Sequence, residues 1–498
     1  MKLLRMLGIA TLAVCAASAA ATAQTWTPVQ NVPNIGAGAM ALLTNGCAMV
    51  HDESGNNGTW GNWWTLCPDI HGNYTTGTWT QVATMPSNYG PLYFGSAVLP
   101  DGRYIAEGGE YNFGSPRWTN LGAIYDPIAN TWTSVAPPSG WASIGDSPSV
   151  VLNNGTYFQS SCCDQPPQAA LLNASTLAWT ETGSGKFDIY DEEGLTLLPG
   201  GQVLDVDAYV FNYQENGKNY ELYNPGTGVW TSQGNTPEQY WDSAANCGGE
   251  NDASYELGPA VLMPNMTVFQ TGANSCAAGH NGVYNYSANT WTEAPDFPGT
   301  FDIADGPAAL EVNGNVLMFA SPGIFNTGGQ MFEWNGSALT DAPNPPAGSG
   351  DSSYYGHLLM LPNGQIMFTD FSNDVELFTS AGSQYTGWTP QAIFTTAPSY
   401  TPGQTYRIAG MNFNGASQNN AYGDDFQDAT NYPLIRFTSV SSGNVYYGHT
   451  HNHSTMAVGY HGPAYTFVDI PSTIPGGTYN LQVVVNGIAS QNYPVIVQ

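Results

Sequence analysis

The chain has 498 residues and a formal net charge of −30 at pH 7, with 8 Lys and Arg against 38 Asp and Glu. So acidic a surface repels nucleic acid and anionic membranes, which excludes both as partners. Hydrophobic residues reach 42% and glycine is abundant, with 58 copies. That mixture excludes a disordered chain and is typical of turn-rich β-structure.

The N-terminus has the pattern of a secretory signal peptide. Lys2 and Arg5 precede an apolar stretch from Leu7 to Ala17, and small residues end at Ala23. The stretch is too short for a membrane anchor. We therefore predict a signal peptide over residues 1–23 and a secreted, extracellular or periplasmic protein.

Six cysteines follow the signal, and an even number in an exported protein favours disulfides. We predict the pairs Cys47–Cys67 and Cys247–Cys276, each within one repeat. The adjacent Cys162 and Cys163 are either bonded to each other or left as free or differently paired thiols.

A hairpin pattern recurs with a period of about 50 residues, as in kelch-type propeller blades. Each copy is an apolar run, a Pro/Asn/Asp-Gly type of turn and a second apolar run. The copies lie at 39–50, 96–109, 149–159, 195–206, 260–272, 308–320 and 358–370. We predict a seven-bladed β-propeller over residues 24–395, whose last blade is completed by residues 25–30.

Thr-Trp-Thr or Val-Trp-Thr segments follow several hairpins. Trp132, Trp230 and Trp291 recur at this position. We interpret them as bulky fillers between blades, not as sugar-stacking residues.

From about residue 396 the repeat stops and short alternating strands continue to residue 498. About 100 residues of such strands predict an immunoglobulin-like β-sandwich. The fold class is therefore all-β: a seven-bladed kelch-type β-propeller followed by an immunoglobulin-like β-sandwich.

Kelch blades followed by a sandwich that ends in GGTYNLQVVVNGIAS resemble the galactose oxidase/glyoxal oxidase family. The resemblance implies one copper ion at a propeller mouth, held by two tyrosines and two histidines, one tyrosine being linked to a cysteine. Carried over residue by residue, Tyr354 matches a ligand tyrosine, but Tyr355 stands where the family has histidine, with His357 two residues further on. Glu192 stands at the linked tyrosine, and His453 matches the histidine of the second domain.

The copper ligands of the family are thus only partly retained. We keep a copper-dependent oxidase with an altered ligand shell as an alternative to a non-oxidase function. Projecting the same position onto every blade gives mouth candidates. They are Tyr93, Asp146, Asp191, Glu192, Glu193, Glu256, Asp305, Tyr354 and Tyr355, with Glu107, Cys162, Cys163, Asp207, Tyr209 and Asp370 added by the loops that leave the hairpins.

Two kinds of chemistry fit this set. A ring of carboxylates needs a cation or shared protons, which favours calcium, magnesium or manganese held by Asp191 and Glu192, with His451 and His453 above them. Alternatively, Glu192 and Glu193 act as acid and base beside Tyr354 on a glycan. Asp424, Asp425 and Asp428 are interpreted as a solvated loop.

The sequence therefore predicts a monomeric secreted protein that binds carbohydrate, a divalent metal or both at the propeller mouth, or a non-oxidase carbohydrate-active enzyme there. The ligand is a glycan or another small neutral or cationic molecule. An extracellular scaffold with no ligand at the mouth is a further alternative.

Overall fold

The computed structural model describes residues 23–55, 60–208, 217–242, 254–274, 276–395, 397, 399–423 and 425–498. In the described chain, six four-stranded antiparallel sheets and one six-stranded sheet form seven blades, and a larger eight-stranded sheet follows them. The predicted fold class, a kelch-type propeller with a β-sandwich, is confirmed.

Blades 1 to 3 each run outward from an innermost strand. Blade 1 consists of Ala37–Leu42, Ala48–Asp52, Trp63–Cys67 and Thr78–Gln81. Blade 2 consists of Gly95–Val98, Tyr104–Glu107, Gly122–Asp126 and Thr131–Val135. Blade 3 consists of Ser149–Val151, Tyr157–Ser161, Gln168–Asn173 and Ala178–Thr182. A small sheet of Pro91–Leu92, Tyr111–Asn112 and Ser115–Pro116 is inserted at blade 2.

Blades 4 to 6 repeat this order. Blade 4 consists of Thr196–Leu197, Val203–Val206, Asn219–Asn224 and Val229–Asn235. Blade 5 consists of Ala260–Leu262, Thr267–Gln270, Asn281–Asn285 and Thr290–Ala294. Blade 6 consists of Ala308–Leu310, Val316–Pro322, Gln330–Trp334 and Leu339–Asp341, with Phe301–Asp302 paired to its second strand.

Blade 7 joins the two ends of the propeller. It consists of His357–Met360, Ile366–Thr369, Glu376–Thr379 and, as its outermost strand, Thr25–Pro28. The predicted closure by the N-terminal segment is confirmed. Trp26 packs against Phe368 and Phe378, with ring centroids 5.8 and 5.0 Å apart, so the closure buries apolar surface as well as completing the sheet.

The recurrent tryptophans pack between blades, as predicted. Trp132 of blade 2 lies 5.7 Å from Trp63 of blade 1, measured between ring centroids. Trp291 of blade 5 likewise lies 5.7 Å from Tyr220 of blade 4. Each outer-strand tryptophan therefore fills the gap to the preceding blade instead of facing a ligand.

The C-terminal sheet has eight strands. They are Gln391–Thr395, Thr405–Met411, Leu434–Ser439, Val445–His451, Pro463–Asp469, Gly477–Val485, Ile488–Ala489 and Tyr493–Val497. Side chains from strands far apart in this order, among them Ile408, Phe437 and Leu481, share one buried core. The sheet therefore curls over itself as a sandwich.

The C-terminal domain lies on the propeller face that carries the blade hairpin turns. The amides of Thr450, His453 and Met456 donate hydrogen bonds to the carbonyls of Thr44, Pro100 and Asn153, at 3.1, 3.0 and 2.9 Å. Those three carbonyls belong to the turns of blades 1, 2 and 3. The ends at which the inner strands begin lie on the opposite face, which we call the mouth.

One segment of the C-terminal domain, residues 414–431, runs along the propeller axis, and we call it the axial segment. Asn420–Ala421 pairs with the inner strand of blade 6. Side-chain amides complete the contacts: Gln418 accepts a hydrogen bond from the Leu197 amide of blade 4, and Asn420 accepts one from the Met360 amide of blade 7. The axial segment thereby provides hydrogen-bonding partners for the free inner edges of blades 4, 6 and 7.

Cys47 and Cys67 form a disulfide, as predicted, and Cys162 is bonded to Cys163. Cys276 is also disulfide-bonded, but its predicted partner Cys247 lies outside the described residues. In the described part of the chain, no helix is long and apolar enough to cross a membrane.

Candidate functional site

A cavity of about 430 Å³ opens at the mouth, where the inner strands begin. Its lining combines carboxylates with aromatic rings. The lining residues are Tyr93, Glu110, Tyr111, Asp146, Glu192, Glu256, Asp305, Phe325, Tyr354 and Asp425. Six of the predicted mouth residues therefore meet around one space, although they come from blades 2 to 7.

The backbone at the mouth adopts an uncommon conformation in several blades. Tyr93, Glu192 and Asp305 have positive φ angles of 50°, 59° and 46°. Tyr255, beside Glu256, has a φ of 65°. Positive φ disfavours residues other than glycine, and such residues are enriched at functional sites. The repeated turn directs one side chain from each of these blades toward the cavity.

Three of the carboxylates converge. Glu192, Glu256 and Asp305 each offer an oxygen atom, and these atoms lie within 4.8 Å of one another. We call them the mouth triad. Three negative charges at such separations repel strongly unless protons or a cation neutralise them.

Further acids surround the mouth triad. Burial raises the pKa of Glu256 well above its usual value, and the neighbouring Asp305 adds to the effect. Burial likewise raises the pKa of Asp146 to about 6 and that of Glu110, near Asp146 and Asp305, to about 8. At pH 5 to 6 the site therefore holds protons that ordinary carboxyl groups have released.

Asp425 reaches the cavity from the axial segment. It is fully buried, and burial together with Asp305 and Asp146 raises its pKa well above the usual value. The neighbouring Gly423 passes so close to Asp305 that a Cβ atom there would lie 2.4 Å from Asp305 Oδ1. Glycine is thus needed for the axial segment to reach the mouth.

Sequence reasoning missed Asp425, because the interpretation of residues 424–428 as a solvated loop is wrong. Asp425 and Asp428 are 1% and 6% exposed, and Asp424 lies outside the described residues. The run Gln418-Asn419-Asn420 could have indicated that this segment lies at the propeller axis. Side-chain amides of this kind can form hydrogen bonds with the backbone groups that a propeller leaves free at its axis. Glu110, Tyr111 and Phe325 were also missed, since they lie outside the hairpin repeat.

The Cys162–Cys163 disulfide lies beside the mouth. A Cβ atom at Gly145, next to Asp146, would be 2.9 Å from the Cys162 Cβ atom and 3.5 Å from Trp118. Asp191 Oδ1 lies 3.3 Å from Cys162 Sγ. A disulfide sulfur has no hydrogen to donate, so any hydrogen bond between them comes from protonated Asp191. Burial and the nearby Asp146 raise the pKa of Asp191 to about 7, which supports that form.

Aromatic rings form the outer part of the cavity. Phe325 is 45% exposed and meets Tyr354 edge to face, with ring centroids 5.4 Å apart. Tyr93 and Tyr111 meet at 6.1 Å on another side. Exposed rings above a polar floor offer flat faces for a ligand to stack on.

Comparisons with known proteins give a fold. No protein-family model matches the chain. The Kelch-like protein terF of Aspergillus terreus is 31% identical over 88 residues, which are 17% of this chain and 18% of that protein. The alignment thus spans less than a fifth of the curated relative.

Among solved structures, a fungal alcohol oxidase of the AA5 family, in complex with copper, aligns with a TM-score of 0.54 and 13% identity over 96% of this chain and 100% of that one. The chain has a galactose-oxidase-like kelch-propeller fold. The extracellular domain of a hybrid two-component system from B. thetaiotaomicron aligns over 94% of this chain and 61% of that one, with 10% identity and a TM-score of 0.46.

The mouth of this galactose-oxidase-like propeller does not fit copper. Copper(II) favours imidazole ligands, and no histidine is found among the cavity-lining residues in the described ranges. The converging donors are carboxylate oxygens, which suit calcium, magnesium and manganese.

Two predicted site residues of blade 4 turn away from the mouth. Glu193 and Asp207 are fully buried and lie 3.0 and 3.3 Å from the ammonium group of Lys186, measured from carboxylate oxygens. The predicted acid–base pair of Glu192 and Glu193 is therefore wrong, because Glu193 is paired with Lys186 whereas Glu192 lines the cavity. Asp207 is likewise removed from the cavity.

Tyr355 and His357 lie below the cavity lining. The Tyr355 ring is 4.1 Å from that of Tyr354. His357 is 2% exposed and stacks on Tyr422 of the axial segment, and burial lowers its pKa to about 4. A neutral, enclosed imidazole of this kind fills the core beneath the mouth. Tyr209 lies outside the described residues.

The prediction that His451 and His453 overhang the mouth is wrong. Both belong to the domain that covers the opposite face, and the His453 amide donates to the Pro100 carbonyl in a blade turn. His453 Nδ1 lies 2.9 Å from Thr466 Oγ1, inside the sandwich. The axial segment, not this histidine run, connects the C-terminal domain to the mouth.

Proposed function

We propose that this protein is exported and binds a hard divalent cation at the mouth triad, and that the cation and the aromatic rim together bind a carbohydrate. The observation that carries the proposal is the convergence of Glu192, Glu256 and Asp305 within 4.8 Å. The N-terminal signal pattern and the Cys47–Cys67 disulfide support export.

The electrostatics of the mouth favour a cation. Asp146 and the buried Asp425 add two carboxylates to the mouth triad, and none of the cavity-lining residues in the described ranges is a Lys or Arg. Glu256 Oε2 and Asp146 Oδ1 are buried without a hydrogen-bond partner in that part of the chain. Calcium, with its six to eight oxygen ligands and flexible geometry, suits such a set best, with manganese and magnesium as alternatives.

The volume of the mouth cavity and its aromatic rim favour a carbohydrate as the ligand. Tyr93, Tyr354 and the exposed Phe325 present ring surfaces around an opening of about 430 Å³, a volume typical of small-ligand sites. Sugar hydroxyl groups can complete the coordination of calcium, while the apolar sugar face stacks on the rings.

Glu256→Gln is expected to weaken calcium binding at least tenfold, because a charged ligand is lost from the mouth triad. Gln has the shape of the protonated acid, so the variant should fold normally. Isothermal titration calorimetry at pH 7.5 measures the affinity, which we expect on the order of 10⁻⁴ M or tighter for the wild type. Glu293→Gln, an exposed acid on the outer strand of the same blade, is the matched control. Equal affinities of Glu256→Gln and wild type would refute the cation site.

Phe325→Ala is expected to weaken glycan binding by about three- to tenfold, the value of one aromatic contact. A glycan array with calcium identifies the ligand, and the same array with a chelator is expected to lose the signal. Tyr460→Ala serves as control, because Tyr460 is similarly exposed, at 39%, on the C-terminal domain. A glycan signal that survives the chelator would show that the cation has no part in binding.

A further inference from the structure

A second group of metal-ligating side chains lies on the C-terminal domain, on the face away from the mouth. His449 and Asp469 are directly opposite each other on the adjacent strands Val445–His451 and Pro463–Asp469. His451, two residues after His449, projects from the same face of the sheet. Sheet register therefore brings two imidazoles and one carboxylate together without any loop.

The distances among the three groups suit one metal ion. His449 Nδ1 lies 3.2 Å from Asp469 Oδ2, and His451 Nε2 lies 3.4 Å from Asp469 Oδ1. Ligands bound at about 2.0–2.1 Å in tetrahedral geometry are separated by about 3.3–3.4 Å. One atom from each residue lies within 4.8 Å of the others.

Neighbouring groups hold this arrangement in place. His449 Nε2 points at the blade 2 turn, where a Cβ atom on Gly102 would lie 2.8 Å from it, so Nδ1 is the atom directed at Asp469. The His451 ring stacks on Phe467, with centroids 5.9 Å apart. Thr405 Oγ1 donates a hydrogen bond to Asp469 Oδ1. Outer contacts of this kind orient metal ligands.

We infer that His449, His451 and Asp469 form a binding site for a first-row divalent transition metal of the zinc class. Nitrogen and oxygen donors in this mixture favour Zn²⁺ or Co²⁺ over calcium. The three side chains are 12%, 20% and 40% exposed, so an ion can enter and water can fill the remaining positions. The site is separate from the mouth triad in place and in metal preference.

The test is a titration of the full chain after removal of metals with a chelator. Zn²⁺ binding is measured by calorimetry, and Co²⁺ binding by its visible absorption, which reports nitrogen coordination. The titration uses the Glu256→Gln background, in which binding of a cation at the mouth triad is weakened. In that background we expect one Zn²⁺ per chain, and His451→Ala and Asp469→Asn are each expected to reduce its affinity at least tenfold.

His280→Ala is the matched control, because His280 Nδ1 lies 3.0 Å from Asp296 Oδ1 in an exposed pair that has no second histidine. It should leave the titration unchanged. The inference is overturned if His451→Ala and Asp469→Asn bind Zn²⁺ like their parent, or if the parent binds none. Either result would leave the calcium site at the mouth unaffected, so the two proposals fail independently.

Discussion

Lys186→Met is expected to lower the free energy of unfolding by about 3–5 kcal/mol, or to prevent folding. The Lys186 ammonium is fully buried in blade 4 and is the centre of a cluster of acids. The acids within ion-pair distance of it are Asp188, Glu193, Asp205, Asp207 and Glu221. Without the lysine, these buried carboxylates keep no opposite charge, and each must be protonated or exposed to water.

The pKa values of the cluster agree with this dependence. Burial acts to lower the pKa of Lys186, but the carboxylates around it raise it well above its usual value. Burial raises the pKa of Asp188 to about 6 even though Lys186 acts against the shift. The lysine is therefore charged at neutral pH, and Asp188 keeps its proton at mildly acidic pH.

Urea unfolding followed by fluorescence measures the change. Lys218→Met is the control, because Lys218 and Glu238 form a pair at 3.3 Å that is 39% and 40% exposed, for which a change below about 1 kcal/mol is expected. Lys186→Arg keeps the charge and should lie between the two. A Lys186→Met protein as stable as the Lys218→Met control would contradict the proposed role of the buried ammonium.

The second large effect is a loss of stability as the pH rises from about 5 to 8. Burial raises the pKa of Asp302 and Glu311 to about 8 and that of Glu376 to about 9, in addition to Glu110 and Asp146 at the mouth. Below about pH 4 both the folded and the unfolded chain hold these protons. Between that pH and the raised values only the folded chain holds them, so increasing pH favours unfolding.

We expect the melting temperature to be highest near pH 4–5 and to fall by roughly 5–10 °C by pH 8. Calorimetry at constant ionic strength measures it. Calcium is expected to restore part of the loss at pH 8 and little at pH 5, since protons compete with the cation for the mouth carboxylates. A maximum near pH 8, or an equal effect of calcium at both pH values, would contradict this account.

One variant tests whether calcium raises the melting temperature by binding at the mouth triad. Without calcium, the fall in melting temperature caused by the other acids should be the same in Glu256→Gln as in the wild type. The increase in melting temperature that calcium gives at pH 8 should be smaller in the variant. This separates the contribution of the mouth triad from that of buried acids elsewhere, such as Glu311 and Glu376.

Much of the mouth could be predicted because the propeller is a repeat. Counting back from each hairpin turn placed Tyr93, Glu192, Asp305 and Tyr354 at equivalent positions, and equivalent positions in a ring meet at its axis. The same counting failed for Glu193, because Glu193 pairs with Lys186, a residue outside the hairpin repeat.

Local periodicity and partners within one repeat were enough to predict the blades, their number, the closing N-terminal strand and the Cys47–Cys67 disulfide. Long-range packing sets which residue of the C-terminal domain reaches the mouth. Asp425 arrives there and His453 does not, because the free inner edges of the blades need hydrogen-bonding partners, and the axial segment supplies them for blades 4, 6 and 7. That long-range requirement leaves no periodic pattern in the chain.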